Sequence, residues 1–280
     1  MRIFHAAGAE PGPALLFLGG VHGEEKPGQR ALERLHGDLR AGRVTLRRGT
    51  LALAPRVNAE AAARGTHFVD ENLNRIVRRH EDPRTHEQAL ANALLPLLDA
   101  ADAVLDLHGT PAPTVPFAFL DDESPANRAW AESLGAPYVL TGWPALYAGG
   151  TGSTTTEYAQ GRGKLALTVE AGQNDDASAV EEAYAFALRS LAHFGLIPAL
   201  PAPAEPRTLR LERVIRRERA GAFARPWRNF DEVKKGEILA RLGDGADVAA
   251  PEDGFVVMPY DSAEIGEEWL YLARPETPRP

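Results

Sequence analysis

Over its first two hundred residues the chain alternates between short apolar runs and longer amphipathic segments, and this alternation limits the fold more than any other feature. Residues 14–18 are an apolar run closed by Gly19-Gly20, the form of a buried strand that runs into a loop. Residues 28–39 place Leu32, Leu35 and Leu39 at helical spacing with charges between them, which predicts a helix with one buried face. The same reading gives strands at 50–54, 103–107, 117–120, 138–140 and 165–169, and helices at 86–99, 126–134 and 179–194. Strands and helices in alternation predict an α/β fold whose largely parallel sheet is covered by helices on both faces.

The pattern changes near Pro198. The segment IPALPAPAEPRT is dense in Pro and Ala and reads as a linker. Beyond it lie short strand-like stretches separated by turn residues: a half-exposed strand at 209–215, then GAF, VKKGEILARLGDG, VAAPEDGFVVMP and WLYLA. A length of 280 residues allows a main domain with a small companion, at ~100–200 residues per domain. The expected division is an α/β domain over 1–200 and a small all-β domain over 201–280.

Composition narrows the function. Hydrophobic residues make up 44% and charged residues 25%, enough apolar material for a sizeable core. A formal net charge of -8 argues against nucleic acid or an anionic membrane as partner. The N-terminus lacks the features of a signal peptide, and the first apolar run is far too short to span a bilayer, so a cytoplasmic protein is expected. With no cysteine, disulfides and thiolate chemistry are excluded, and any metal must be held by His, Asp and Glu.

The eight histidines are not equivalent. His5, His36, His80, His86 and His193 lie in polar or helical contexts and read as solvated or structural. His22 and His108 follow predicted buried strands, in ALLFLGGVHGEE and AVLDLHGT, and Glu170 ends a third in KLALTVEAG. Ligands of open α/β sheets bind beyond the carboxyl ends of strands. His22 and Glu25 form H-x-x-E on a loop opening into a helix, where both side chains can reach one cation; Glu24 is the competing ligand. A distant His completes a His-Glu-His set with one position open, the pattern of catalytic rather than structural zinc. Arg56 follows another strand and could hold an oxyanion, while Asn74-Arg75 could clamp a carboxylate. Taken singly, these are also two surface arginines among 27. The acidic stretches 121–123 and 175–176 read as solvated loops.

In order, GGVHGEE, PRVNAEAAARG, ENLNR, DLHGT and TVEAG resemble the succinylglutamate desuccinylase/aspartoacylase family of the zinc carboxypeptidase superfamily. The resemblance implies a zinc-carboxypeptidase-like mixed, largely parallel sheet flanked by helices, with a small C-terminal all-β domain. In that domain VKKGEILARLGD and VAAPEDGFV are similar to a biotinyl/lipoyl-like hairpin fold. No Lys stands in a Met-Lys or Lys-Ala turn there, so no attached cofactor is expected, and the domain is expected to shape the mouth of the site. The resemblance further implies one zinc ion per chain on His22, Glu25 and His108, with Glu170 as catalytic glutamate. It gives Arg56 to the scissile carbonyl and Asn74 with Arg75 to a substrate carboxylate. The reaction implied is hydrolysis of a linear amide in a small, anionic, acylated substrate by metal-activated water.

Two positions depart from the family pattern. His67-Phe68 stands where the family commonly has Arg-Phe, and Gln160 stands where aspartoacylase-like members carry an Arg, with Arg162 two residues on. Tyr147 and Tyr158 fall in the region expected to touch substrate. The rival readings are a metallocarboxypeptidase acting on peptides and a non-catalytic small-molecule-binding homologue. Oligomeric state is not legible in the sequence, and a homo-oligomer stays open.

Overall fold

The computed structural model describes residues 1–147 and 153–276. In chain order β1 (Phe4–Ala7), β2 (Glu10–Gly19), α1 (Lys26–Arg40), β3 (Arg48–Ala54) and α2 (Ala59–Arg64) precede a single 3-10 turn at Leu73–Arg75. Then come α3 (His86–Ala100), β4 (Ala103–Thr110), β5 (Phe117–Phe119), α4 (Pro125–Ser133) and β6 (Tyr138–Thr141). The α/β half closes with α5 (Trp143–Leu146), α6 (Thr155–Gln160), β7 (Leu165–Gln173) and α7 (Ala177–His193). The remaining chain supplies β8 (Arg207–Arg216), β9 (Gly221–Phe223), β10 (Glu232–Val233), β11 (Ile238–Leu242), β12 (Asp247–Ala249), β13 (Gly254–Val257) and β14 (Glu268–Pro275).

The main sheet runs β1-β3-β2-β4-β7-β5-β6-β8-β14-β13-β10. Its centre, β3-β2-β4-β7, is parallel, while β5 runs antiparallel to β7 and so makes the sheet mixed. Alternation along β2 sends Leu15 and Phe17 to one face and Leu16 and Leu18 to the other, so each face carries its own core. On the first face Leu32 and Leu35 of α1, Trp130 of α4 and Phe186 of α7 cover the strands. On the second, Leu90, Leu94 and Leu98 of α3 and Ala159 of α6 do so.

After the Pro/Ala segment, β8 pairs in parallel with β6, so the later strands extend the same sheet. A third core joins Phe117 and Phe119 of β5 to Phe255, Val257 and Tyr271 of the last strands. A small separate sheet, β12-β11-β9, is antiparallel throughout. Among the described residues, no helix is long and apolar enough to cross a membrane.

Candidate active site

Three central strands deliver the polar groups to one edge of the sheet. β2 ends at Gly19, and Gly20 turns the chain with φ +61, a conformation an L side chain rarely adopts. His22 follows the turn, and Glu25 immediately precedes α1. A Cβ on Gly28 would lie 2.4 Å from the Leu107 carbonyl oxygen, so only glycine lets α1 settle this close to β4. That approach brings Glu25, at the start of α1, against His108 near the end of β4. In the β4–β7 pairing His108 stands opposite Glu170.

His22 and His108 both turn Nδ1 toward the Glu25 carboxylate, at 2.8 Å to Oε1 and 2.8 Å to Oε2, and the Gly109 N–H lies 3.3 Å from Oε2. Their outer nitrogens face acceptors. His22 Nε2 lies 3.1 Å from Asn72 Oδ1, and His108 Nε2 lies 3.0 Å from Asp106 Oδ2, at ion-pair distance though without hydrogen-bond alignment. Acceptors on the outer side favour the proton on Nε2 and leave each Nδ1 as a lone pair. Two lone pairs and a carboxylate then converge on one point, and such a set is stable only around a proton or a cation.

The electrostatics agree with this arrangement. Burial lowers the pKa of His22, which suits a neutral ligand. Burial opposes ionisation of Glu25 too, but His22 and His108 outweigh it and hold the carboxyl well below the usual range. At His108 burial is overcome by the Asp106 and Glu25 carboxylates, which raise its pKa well above normal. A field that draws a proton onto His108 would draw a divalent cation more strongly. The donor set therefore fits a metal of the kind that takes nitrogen and oxygen ligands.

Glu170 faces the same cavity, and its Oε2 is buried without a hydrogen-bond partner among the described residues. Burial, reinforced by the Glu25 charge, pushes its pKa well above the ordinary carboxylate value. A carboxyl raised in this way holds a proton more readily than an ordinary carboxylate.

Asn74 and Arg75 line the cavity from the 3-10 turn. Asn74 spends Oδ1 on the Thr155 N–H at 3.0 Å, which leaves its NH₂ to offer a ligand. Arg75 bonds the Asn74 carbonyl at 2.8 Å and has no carboxylate partner within salt-bridge distance among the described residues. The approach to this turn is held by Glu87, a fully buried carboxylate at the start of α3 that accepts N–H bonds from Val69, Asp70 and Glu71 and one from the Asn58 amide. Nothing in the sequence marks Glu87. Asp106 had a signal that went unread: it stands two residues before His108 on one strand, hence on the same face.

Arg56 is not brought to the cavity. The N–H groups of Val57 and Asn58 bond the carbonyls of Gly19 and Gly20, and Val57 is fully buried. Arg56 is left on the outside of the turn, paired with Glu33 of α1 at 2.9 Å. The side chain beside the centre is instead His67, whose ring stacks on His22 at 3.7 Å between centroids and whose Nδ1 bonds Glu24 at 2.7 Å. One donor atom each from His22, Glu25 and His67 lie within 4.8 Å of one another. Tyr158 and Arg162 both turn to Asp99, and Gln160 bonds the Ala166 carbonyl, so none of the three lines the cavity. Tyr147 backs Tyr271 through a hydroxyl–hydroxyl bond.

The cavity measures about 920 Å³. One wall is the strand-end centre; the other comes from the later strands and loops, through Trp227, Asn229, Met258, Tyr260 and Tyr271.

Against this geometry stand the likenesses to known proteins. A family model for the succinylglutamate desuccinylase/aspartoacylase catalytic domain matches residues 11–193, and the chain belongs to that family. It is 31% identical over 253 residues to N-alpha-acetyl-L-2,4-diaminobutyric acid deacetylase from Halomonas elongata, covering 83% of this chain and 71% of that protein. A succinylglutamate desuccinylase/aspartoacylase structure from Rhodobacter sphaeroides superposes with a TM-score of 0.81 at 25% identity, covering 99% of this chain and 89% of that one. The product-bound ectoine utilization protein EutE (DoeB) from Ruegeria pomeroyi superposes with a TM-score of 0.81 at 24% identity, over 97% and 88%. The last likeness speaks for the fold alone.

Proposed function

We propose that the protein is a zinc-dependent deacylase that hydrolyses the amide bond of a small N-acyl amino acid. The observation that carries this is the convergence of the two Nδ1 atoms on Glu25, with Glu170 on the adjacent strand. Family membership and the likeness to a deacetylase support the same reaction class.

His22, Glu25 and His108 would hold the ion, and bound zinc would supply Lewis acidity to the amide carbonyl and to water. Asp106 and Asn72 keep the two imidazoles in the ligating tautomer. Asn74 and Arg75 seat the substrate carboxylate, the guanidinium gripping two oxygens and the amide donating a further bond. Glu170 takes the proton of the attacking water at Oε2 and returns it to the leaving nitrogen. The hydroxyl joins the acyl carbon, the C–N bond breaks, and an acid and a free amine result. The wall made by Trp227, Asn229 and Tyr260 confines the substrate and favours a compact acyl amino acid over a peptide.

A panel of N-acetyl amino acids, N-succinyl amino acids and C-terminally free peptides tests the proposal. Turnover of compact acyl amino acids, abolished by a chelator and restored by zinc, is expected. Turnover confined to long peptides would replace it with a carboxypeptidase reading.

A further inference from the structure

Two paths of polar contacts lead outward from the imidazoles of His22 and His108, and both end on Asn74. From His22 the path is short: Nε2 lies 3.1 Å from Asn72 Oδ1, and the same oxygen accepts the Asn74 backbone N–H at 2.9 Å. From His108 it runs through Asp106, whose Oδ2 lies 3.0 Å from Nε2 and accepts a hydrogen bond from the Thr155 hydroxyl. The Thr155 backbone N–H then donates to Asn74 Oδ1 at 3.0 Å. Glu25 joins the two imidazoles on the inner side, which closes the contacts into a ring.

Thr155 is the member of this ring that no motif marks. It is the first residue of α6, where a helix leaves its N–H groups without intrahelical partners, and Asn74 takes one of them. Its neighbours hold it in place. Thr154 and Glu157 form a capping box at the same helix start, and Thr156 Oγ1 lies 3.2 Å from Thr168 Oγ1 of β7. The Ser153 N–H bonds the Arg75 carbonyl, and the Ser153 carbonyl accepts the Val77 N–H, so this segment is joined to the 3-10 turn. Thr155 and Asp106 are both fully buried, and Asp106 Oδ1 has no hydrogen-bond partner among the described residues. A buried carboxylate with so few donors relies on each of them, and the Thr155 hydroxyl is one of the few groups that fix its orientation.

We propose that Thr155 is a positioning residue that couples the metal centre to the Asn74–Arg75 pair. Its hydroxyl sets Asp106, and through it the His108 ring, while its backbone N–H sets the Asn74 amide. This rests on the metal and carboxylate assignments of the deacylase reading above. The two sites then share one geometry, and loosening either is felt at the other. A residue that served packing alone would not need the hydroxyl, since valine has the same branched shape.

Thr155→Val, Thr155→Ser and Thr155→Ala test the coupling by two measurements. One is the zinc affinity of the metal-free protein, read by competition with a chromophoric chelator. The other is KM and kcat of the zinc-saturated protein on the N-acyl amino acid that wild type hydrolyses fastest. Thr155→Val should weaken zinc binding by roughly tenfold or more and raise KM by roughly fivefold, while kcat stays within about threefold. Thr155→Ser keeps the hydroxyl and should match wild type in both measurements. Thr155→Ala removes the hydroxyl without setting a methyl against the Asp106 carboxylate, so it should repeat the two losses even if the valine variant does not fold. Undiminished zinc affinity in folded Thr155→Val or Thr155→Ala, or weakened zinc binding with KM unchanged, would overturn the coupling. A serine variant as impaired as the valine variant would overturn it too. Wild type without affinity for zinc would overturn the metal reading, and this proposal with it. If wild type binds zinc but hydrolyses no acyl amino acid, the deacylase reading fails alone, and the contrast in zinc affinity between valine and serine variants decides the role of Thr155.

Discussion

Glu25 and Asp121 each present a carboxyl to one cavity, yet their surroundings are opposite. Glu25 sits among two imidazoles and a backbone N–H, and its charge is held far below the usual carboxylate range. Asp121 has its Oδ1 buried without a hydrogen-bond partner among the described residues, and burial with the Glu157 charge pushes its pKa up to about 7. The first environment compensates a permanent negative charge and suits a resident cation. The second leaves a charge uncompensated and favours the protonated carboxyl. The difference separates the strand-end centre from the rest of the cavity lining.

The largest effect that could break this division is expected at the chemical end. His22→Ala should lose bound metal and activity together, measured by elemental analysis and turnover on the same sample. Retained metal with lost activity would show that His22 is not a ligand. Asp106→Asn should act one step outward, weakening metal affinity by roughly 10- to 100-fold through loosened orientation of His108. An unchanged affinity would leave the buried Asp106 without a role in the centre.

At Asp121 the expected effect is on stability. The folded chain keeps the Asp121 proton up to about pH 7, whereas an unfolded aspartate releases it near pH 4. The folded state therefore binds the extra proton between those values, and stability falls as pH rises through that window. Asp121→Asn removes the penalty, so its Tm advantage over wild type should grow from about pH 4.5 to about pH 8, read by thermal unfolding. A gap that does not change with pH would mean that Asp121 ionises normally. The smallest effect belongs to Arg56→Ala. Its guanidinium makes a surface ion pair with Glu33, so kcat/KM should stay within about twofold. A loss of roughly a hundredfold or more would bring Arg56 back to the reacting carbonyl.

What could be read in the sequence divides along the same line. That His22, His108 and Glu170 would gather at one sheet edge was legible because each follows or ends a short apolar run, and H-x-x-E spacing put Glu25 beside His22. The central strands were legible for the same reason. Arg56 was misplaced because its direction depends on the neighbouring Val57 and Asn58, whose backbone bonds to Gly19 and Gly20 fix the turn. Asp121 was hidden in an acidic run that looked like a loop. Its burial depends on β5 entering the sheet antiparallel beside β7, a pairing made by segments about fifty residues apart that no local pattern announces. The attachment of β8 to β6 is of the same kind. Local motifs mark the strand-end centre, and long-range pairing builds the far wall of the cavity.

Metal content and turnover measured together on wild type and Glu170→Gln test the central claim most directly. Wild type should hold one zinc ion per chain and hydrolyse an N-acyl amino acid. Glu170→Gln should hold the same metal while its kcat falls by roughly 10²- to 10⁴-fold, the loss expected when a positioned proton carrier is removed. Normal turnover in Glu170→Gln, or undiminished turnover by wild type stripped of metal, would contradict the account.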